Sequence, residues 1–68
     1  MVVDKSKIPS EKKFSGYEFT AYGAYPTLAE ANKIASKEKK EGFHVHIVKY
    51  VRAKGYAVFI RGKGGWNI

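Results

Sequence analysis

The sequence contains no cysteine and no glutamine, and it has only two prolines, one methionine and one tryptophan. Without cysteine the chain can form neither a disulfide nor a thiolate metal site. Its 68 residues allow one domain. A domain of this size must be stabilised by a compact apolar core, by self-association, or by both. The absence of cysteine and glutamine beside abundant lysine is typical of an intracellular protein from a thermophile.

Long apolar runs are also missing. No stretch approaches the ~20 apolar residues that a membrane-spanning helix needs. The first residues, MVVDKSKIPS, lack the apolar centre of a signal peptide. We therefore expect a cytoplasmic protein that does not bind membranes.

Acidic residues are scarce, and none follows Glu41. Thirteen Lys and Arg stand against six Asp and Glu, which gives a formal net charge of +7. Such an excess favours polyanionic partners, which are nucleic acid, an anionic membrane surface or an acidic protein. It can also serve solubility alone.

The first part of the chain predicts an arm followed by a strand. Residues 1–12 mix charge, serine and proline without a period, which is typical of a flexible basic arm. Apolar and polar residues alternate over Phe14–Tyr25 and predict a strand. Gly16 and Gly23 indicate a bend or bulge near each end of this strand.

A helix is predicted from Leu28 to about Glu41. Its apolar residues recur on one face, and three lysines lie on the opposite face at positions 33, 37 and 40. Both ends of the helix have suitable capping residues. Thr27 and Glu30 form a capping box at its start, and Gly42 and Phe43 follow its end.

Two further strands, Phe43–Arg52 and Tyr56–Arg61, are predicted to form a hairpin around a turn at residues 53–55. A strand–helix–strand crossover requires parallel flanking strands, so the apolar third strand fits between the first two. The predicted fold is α+β, a two-layer β-α-β-β domain over residues 13–62. Its three-stranded sheet has the order 1-3-2, with one helix on one face and the other face open. Residues 63–68 are predicted to be a flexible glycine-rich tail.

Sequence alone leaves open which side of the third strand meets the helix. In one register Tyr56 and Val58 face away from it; in the other Val58 and Ile60 meet the helix, Tyr56 turns inward and Phe59 outward. One alternate set from residues 56–60 joins the other residues predicted on the helix side: Phe19, Leu28, Ile34, Ala35, Phe43, Val45 and Ile47.

The KGYA segment at residues 54–57 resembles the start of the RNA-recognition-motif signature. The β-α-β-β order resembles the first two-thirds of that ferredoxin-like fold. Later signature positions differ, because Val58 and Phe59 stand where the family has Phe and Val, and Arg61 replaces the final aromatic residue. The resemblance implies that Tyr56 and Val58 face RNA.

A second pattern covers more of the chain and resembles half of a SPOR-type repeat. Such modules imply glycan binding in bacterial cell envelopes. A full domain needs two such halves, and this chain contains one. The matching segments are Tyr22-Gly23-Ala24-Tyr25, residues 27–31, Gly42-Phe43-His44-Val45 and Tyr56-Ala57-Val58.

Aromatic and basic residues concentrate in the predicted hairpin and tail. Basic side chains contact phosphates and aromatic rings stack on bases in proteins that bind single-stranded nucleic acid. We therefore predict a module that binds single-stranded RNA or DNA. The alternative is a protein-interaction or homodimerising domain that buries the same rings across an interface. The predicted nucleic-acid-binding residues are Lys49, Tyr50, Arg52, Lys54, Tyr56, Phe59, Arg61 and Lys63.

No catalytic motif is recognisable in the sequence. It lacks a phosphate-binding loop, a nucleophile elbow and a paired-carboxylate pattern. His44 and His46 share one strand face and could begin a metal site, but exposed strand histidines account for them better. We expect no enzyme, no cofactor, no metal and no small-molecule substrate.

Overall fold

The computed structural model describes residues 3–62. These residues form a short 3₁₀ helix at Lys5–Lys7, four strands and one α-helix. The strands and the helix are β1 Glu11–Phe14, β2 Tyr17–Tyr25, α1 Leu28–Lys40, β3 His44–Tyr50 and β4 Gly55–Arg61. The predicted α+β class is confirmed, and the predicted tail at residues 63–68 lies outside the described residues. No helix within residues 3–62 is long and apolar enough to cross a membrane.

The sheet has one strand more than the sequence predicts. β1 pairs antiparallel with β2, with Phe14 opposite Tyr17. The intervening Ser15 and Gly16 both have positive φ, 51° and 82°, which is the backbone of a tight type I′ hairpin turn. The bend predicted near Gly16 is therefore a complete chain reversal. The prediction of three strands is wrong, because β1 pairs with the edge of β2 that has no partner in the predicted sheet.

The antiparallel sheet has the order β1-β2-β4-β3. β4 lies between β2 and β3 and pairs with both, so the predicted central place of this strand is confirmed. Val58, Phe59 and Ile60 are completely shielded from solvent, as a strand covered on both faces requires. The register of β2 against β4 shifts between Ala21 and Gly23. This shift is the bulge predicted near Gly23.

Helix α1 begins where predicted and ends within one residue of the predicted end. Thr27 is the N-cap, and its Oγ1 accepts a hydrogen bond from the Glu30 N–H at 3.3 Å. Gly42 follows the helix with φ 96°. The Gly42 and Phe43 N–H groups donate back to carbonyls of the last helical turn at 3.0 and 3.1 Å. This is the Schellman motif that the glycine and the apolar residue after it predicted.

One apolar cluster lies between the sheet and α1, on the side that we call the helix face. Val58 and Ile60 point toward the helix, and Tyr56 packs on the same side, so the second of the two predicted registers is the observed one. The cluster also confirms the predicted helix-side placement of Ile34, Phe43, Val45 and Ile47.

Two predictions about the helix-side core are wrong. Leu28 is 46% exposed, because it is the first residue of α1 and precedes by one turn the first buried helical residue, Ala31. Phe19 is buried on the opposite side of the sheet. The parity of β2 places it there, since Phe19 and Ala21 alternate with Thr20, which pairs with Ile60 of the helix face.

The second sheet face, predicted to be open, is covered. Phe59 and Phe19 belong to an apolar cluster there that includes Ile8, and Val3 and Phe14 pack against it. The prediction of an uncovered binding face is therefore wrong. The cover comes from the segment at residues 3–10 and from β1.

Backbone hydrogen bonds hold this segment in place. The Asp4 N–H donates to the Ala53 carbonyl at 3.0 Å, and the Ala21 N–H donates to the Ser10 carbonyl at 2.8 Å. The described part of the predicted arm thus contains a 3₁₀ helix, a buried residue and the beginning of β1.

The sheet curls around this second face, which we call the concave face. In a flat sheet β1 and β3 would lie three strand spacings apart, roughly 14 Å. Instead, the Phe14 ring of β1 stacks on the His46 ring of β3, with centroids 4.3 Å apart and planes 9° from parallel. Phe19 and Phe59 lie 5.2 and 5.7 Å from the Phe14 ring. The curl therefore brings the two edges of the sheet together over an aromatic core.

Candidate nucleic-acid interface

A hollow of about 420 Å³ lies at the tip of the β3–β4 hairpin. We call it the tip hollow. It brings together four of the eight residues predicted to bind nucleic acid, two tyrosines and two lysines. The residues that line it are Pro26, Lys49, Tyr50, Val51, Lys54, Gly55 and Tyr56.

A four-residue turn closes the hairpin at this tip. The Ala53 and Lys54 N–H groups donate to the carbonyls of Tyr50 and Val51, each at 3.1 Å. Lys54 has φ 59°, which returns the chain into β4. Arg52 lies in this turn rather than on the strand where it was predicted, and it is exposed. Val51, also in the turn, is 77% exposed.

Lys49 and Tyr56 stand directly opposite each other in the β3–β4 ladder. The Lys49 Nζ lies 6.0 Å from the centre of the Tyr56 ring, which is within cation–π range. Tyr56 packs against the cluster beneath α1, while Lys49 is exposed. The core therefore holds the ring, and the charge beside it faces solvent.

Tyr50 occupies the opposite side of the hairpin end. Its cross-strand partner is Gly55, and the Val3 side chain fills the space that a side chain at Gly55 would take. The Tyr50 hydroxyl is buried and has no hydrogen-bond partner within the described residues, and burial raises the pKa of Tyr50 above its usual 10.0. An unsatisfied buried hydroxyl costs roughly 1–3 kcal/mol.

Positive charge dominates the tip. Lys49, Arg52 and Lys54 are exposed there, and no acidic residue occurs after position 41. Asp4 approaches from the N-terminal segment. The Ser6 hydroxyl and N–H, which both donate to its carboxylate, lower the pKa of Asp4, and Lys54 contributes a smaller electrostatic effect. Asp4 carries one negative charge against the three positive charges of the tip, so it offsets only part of them.

Phe59 and Arg61, two other predicted site residues, lie away from the tip. Phe59 is 0% exposed and packs on the concave face near Phe14. The predicted stacking role of Phe59 is therefore wrong. Arg61 is at the far end of β4, roughly 20 Å from the tip for a seven-residue strand. Lys63 lies outside the described residues.

The pair of residues implied to face RNA does not lie on an open sheet face. Tyr56 and Val58 both belong to the cluster beneath α1, and Val58 is 0% exposed. Tyr56 reaches a hollow because it stands near the end of the strand. A role for its ring therefore depends on the tip hollow.

A second hollow, of about 330 Å³, lies at the opposite end of β4. We call it the Arg61 hollow. The guanidinium carbon of Arg61 lies 3.7 Å from the centre of the Tyr17 ring, and Tyr17 is 52% exposed. The lining residues are Phe14, Ser15, Tyr17, Phe19, Lys39, Phe43, His44, Val45, His46 and Arg61.

Sequence analysis missed most of the Arg61 hollow. Only Arg61 belongs to the predicted set, because Tyr17 and Lys39 approach it through the first hairpin and the end of α1. One local signal was present, since a Ser-Gly pair such as Ser15-Gly16 marks a turn. Recognising that turn would have separated β1 from β2.

His44 and His46 occupy one side of β3, as predicted. His46 stacks on Phe14 and meets the Phe19 ring edge-on, with centroids 5.0 Å apart. Within residues 3–62 no group of three or more His, Cys, Asp or Glu side chains is placed to hold a metal ion.

Comparison of the chain with protein-family models, with curated proteins and with solved structures gives no match.

Proposed function

We propose that this protein binds single-stranded nucleic acid at the tip hollow. The observation that carries the proposal is the meeting of Tyr50, Tyr56, Lys49 and Lys54 around one hollow that no acidic residue lines. Aromatic rings beside lysine and arginine suit single strands, because bases stack on the rings and phosphates pair with the cations.

Each group at the tip has a distinct role in this proposal. A base enters the hollow against the Tyr56 ring, beside Lys49, and Tyr50 lines the hollow from the other side of the hairpin. Lys49, Arg52 and Lys54 contact the backbone phosphates on either side. The exposed Val51 side chain adds an apolar contact at the end of the turn.

The size of the hollow sets what can enter it. Its volume of about 420 Å³ is at the lower end of the ~300–1,000 Å³ range of ligand pockets. It therefore admits a base from a strand whose bases are unpaired. A stacked duplex presents its phosphates and not its base faces, so we expect it to bind only through charge.

An amide NMR titration with a short single-stranded oligonucleotide tests the proposal. A duplex of the same sequence serves as the comparison, and each titration is run at about 50 mM and about 200 mM salt. We expect the single strand to shift the signals of Lys49, Tyr50, Lys54 and Tyr56, with affinity that falls as salt rises. Shifts confined to other surfaces, or none at low salt, would refute the tip as the binding site.

A matched pair of double variants separates a local site from general charge. Lys49→Gln with Arg52→Gln removes two charges from the tip, and Lys37→Gln with Lys40→Gln removes two from exposed positions on α1. We expect the tip variant to lose at least about tenfold in affinity. Equal losses in both variants would show that binding follows net charge alone.

A second candidate function, self-association, is favoured by the position of β3. This seven-residue strand pairs only with β4 among the described strands. Its outer backbone groups are therefore available to the same strand of a second copy. Sedimentation at high protein concentration tests this: a dimer supports pairing through β3, and a monomer throughout removes it.

A further inference from the structure

We infer that the Arg61 hollow binds a phosphate monoester attached to a nucleoside. The ligand is either a free mononucleotide or the phosphorylated end of a nucleic-acid strand. This site lies at the other end of β4 from the tip hollow, and it stands whether or not the tip binds nucleic acid.

The first ground for this inference is the convergence of cationic groups. Arg61 and His44 are directly opposite each other on β4 and β3, and Lys39 and His46 also line the hollow. No carboxylate is among the described residues that line the hollow. Lys39 and Arg61 are positively charged, so an anion that enters the hollow meets two cations and can form charge-assisted hydrogen bonds with both.

The second ground is that Arg61 is already oriented. Its guanidinium carbon lies over the Tyr17 ring, 3.7 Å from the ring centre, so the ring holds the end of the side chain. The N–H donors point outward in the plane of the group. They remain available for two parallel hydrogen bonds to phosphate oxygens. Because the side chain is held before binding, less conformational entropy is lost when an anion arrives.

The third ground is the set of side chains that line the hollow and the charge that they carry. Stacking on Phe14 and edge contact with Phe19 hold the His46 ring. The titratable or charged groups that line the hollow are Tyr17 from β2, Lys39 from α1, His44 and His46 from β3, and Arg61 from β4. β1 contributes Phe14 only. Near neutral pH, Lys39 and Arg61 match the charge of close to two that a phosphate monoester carries.

The aromatic rim accounts for the nucleoside part of the ligand. Tyr17 is 52% exposed at the rim, and the hollow of about 330 Å³ is lined by three phenylalanines as well. An exposed ring beside a phosphate site offers a stacking surface to a base. Inorganic phosphate can use only the charged part of the site.

Amide NMR titrations with adenosine monophosphate, adenosine and inorganic phosphate test this inference. We expect adenosine monophosphate to shift Tyr17, His44, His46 and Arg61, to bind at least about tenfold tighter than inorganic phosphate, and adenosine to leave these signals in place.

Two lysines that lie two positions apart on the same helix supply a matched test. Lys39 lines the hollow and Lys37 does not, although both are exposed lysines of α1. We expect Lys39→Gln and Arg61→Gln each to weaken adenosine monophosphate binding about tenfold, with Lys37→Gln unchanged. Equal binding by Lys37→Gln, Lys39→Gln and Arg61→Gln, or adenosine shifts equal to those of adenosine monophosphate, would overturn the inference.

The two sources of the ligand are separated by a short oligonucleotide with and without a terminal phosphate. Tighter binding of the phosphorylated strand than of adenosine monophosphate, with shifts in this hollow, identifies strand ends as the ligand. Equal binding of the two identifies the free nucleotide. Absence of shifts in the Arg61 hollow with every phosphorylated probe would overturn the site, whatever occurs at the tip.

Discussion

Phe59 is among the largest side chains that are completely shielded from solvent, although the sequence analysis assigned it to a binding surface. Its ring meets Phe14 at 5.7 Å and Tyr50 at 6.3 Å. Strand alternation predicted the outward direction of Phe59 in one register correctly. What alternation could not show is that a distant hairpin and the N-terminal segment cover that side.

Replacing Phe59 tests its structural role. We expect Phe59→Ala to lower the free energy of unfolding by about 3–5 kcal/mol, because it leaves a cavity in a closed aromatic cluster. Leu28→Ala, at a side chain that is 46% exposed, should cost about 1 kcal/mol or less. Urea unfolding measures both. If Phe59→Ala does not fold, Phe59→Leu should still be less stable than Leu28→Ala, and the reverse order would contradict the burial of Phe59.

Two tyrosines make stability depend on alkaline pH. Burial is the main cause that raises the pKa of Tyr25 and of Tyr50 above the usual 10.0, and for Tyr25 the neighbouring Tyr22 and Glu38 add to it. The folded state thus retains protons that the unfolded chain releases above about pH 10. Their contribution to stability is complete below that pH and is lost as the pH rises through the folded-state pKa values.

We therefore expect the free energy of unfolding to fall above about pH 10, and to fall less steeply in a Tyr25→Phe, Tyr50→Phe double variant. Below that pH, Tyr50→Phe alone should be neutral or slightly stabilising, since it removes a buried hydroxyl without a partner among the described residues. Urea midpoints over a pH series measure both effects. Identical alkaline slopes in the two proteins would count against the burial of these hydroxyl groups.

At the scale of elements, the N-terminal segment acts as a cover for the concave face. Ile8 is 6% exposed in the same cluster as Phe19 and Phe59. Gly55 permits a close approach of this segment, because a Cβ at that position would lie 2.7 Å from both the Val3 side chain and the Tyr25 carbonyl. The segment is therefore part of the fold.

Shortening Ile8 tests the cover directly. We expect Ile8→Ala to cost about 2–4 kcal/mol of stability, because it removes buried apolar volume from the concave cluster. The control is Val51→Ala at the exposed hairpin turn, which should change stability by less than about 0.5 kcal/mol. Thermal and urea unfolding of both variants provide the comparison. Equal stabilities would mean that residues 3–10 contribute little to the core.

The elements also show which parts of the fold sequence can predict. The residues that cap helix α1 lie next to it in the sequence. The predicted central place of β4 follows from its continuous apolar run. β1 has no such signal, because its sequence is Glu-Lys-Lys-Phe and three of its four residues are exposed. It is a strand because β2 pairs with it. The tip hollow was largely predictable for the same local reason, since its lysines and tyrosines lie on one hairpin.

At the scale of the whole molecule, the positive charge is unevenly distributed along the chain. The net charge of +7 is uneven, since residues 42–62 contain no carboxylate. This arrangement places self-repulsion at both ends of the β3–β4 hairpin. The repulsion favours anionic ligands and also reduces the stability of the unliganded protein at low salt.

A charge reversal at the tip should therefore change stability and binding in opposite directions. We expect Arg52→Glu to raise the free energy of unfolding by about 0.3 kcal/mol at low salt, with the gain disappearing at high salt. Its affinity for single-stranded nucleic acid should fall more than that of Arg52→Gln. Urea unfolding and the NMR titration measure the two effects. A loss of stability without a loss of affinity would contradict a phosphate-binding role for Arg52.

The bulge at Tyr22 also has an evolutionary consequence. If Tyr22 were deleted, the residues of β2 on either side would alternate without interruption, and each could keep its present partner on β4. The strand would lose its extra residue and with it the local increase in bend and twist that a bulge supplies. A single-codon deletion could therefore flatten the sheet and draw Phe14 away from His46 while leaving the pairing intact. Evolution can thus change the curvature of this sheet without changing the order of its strands.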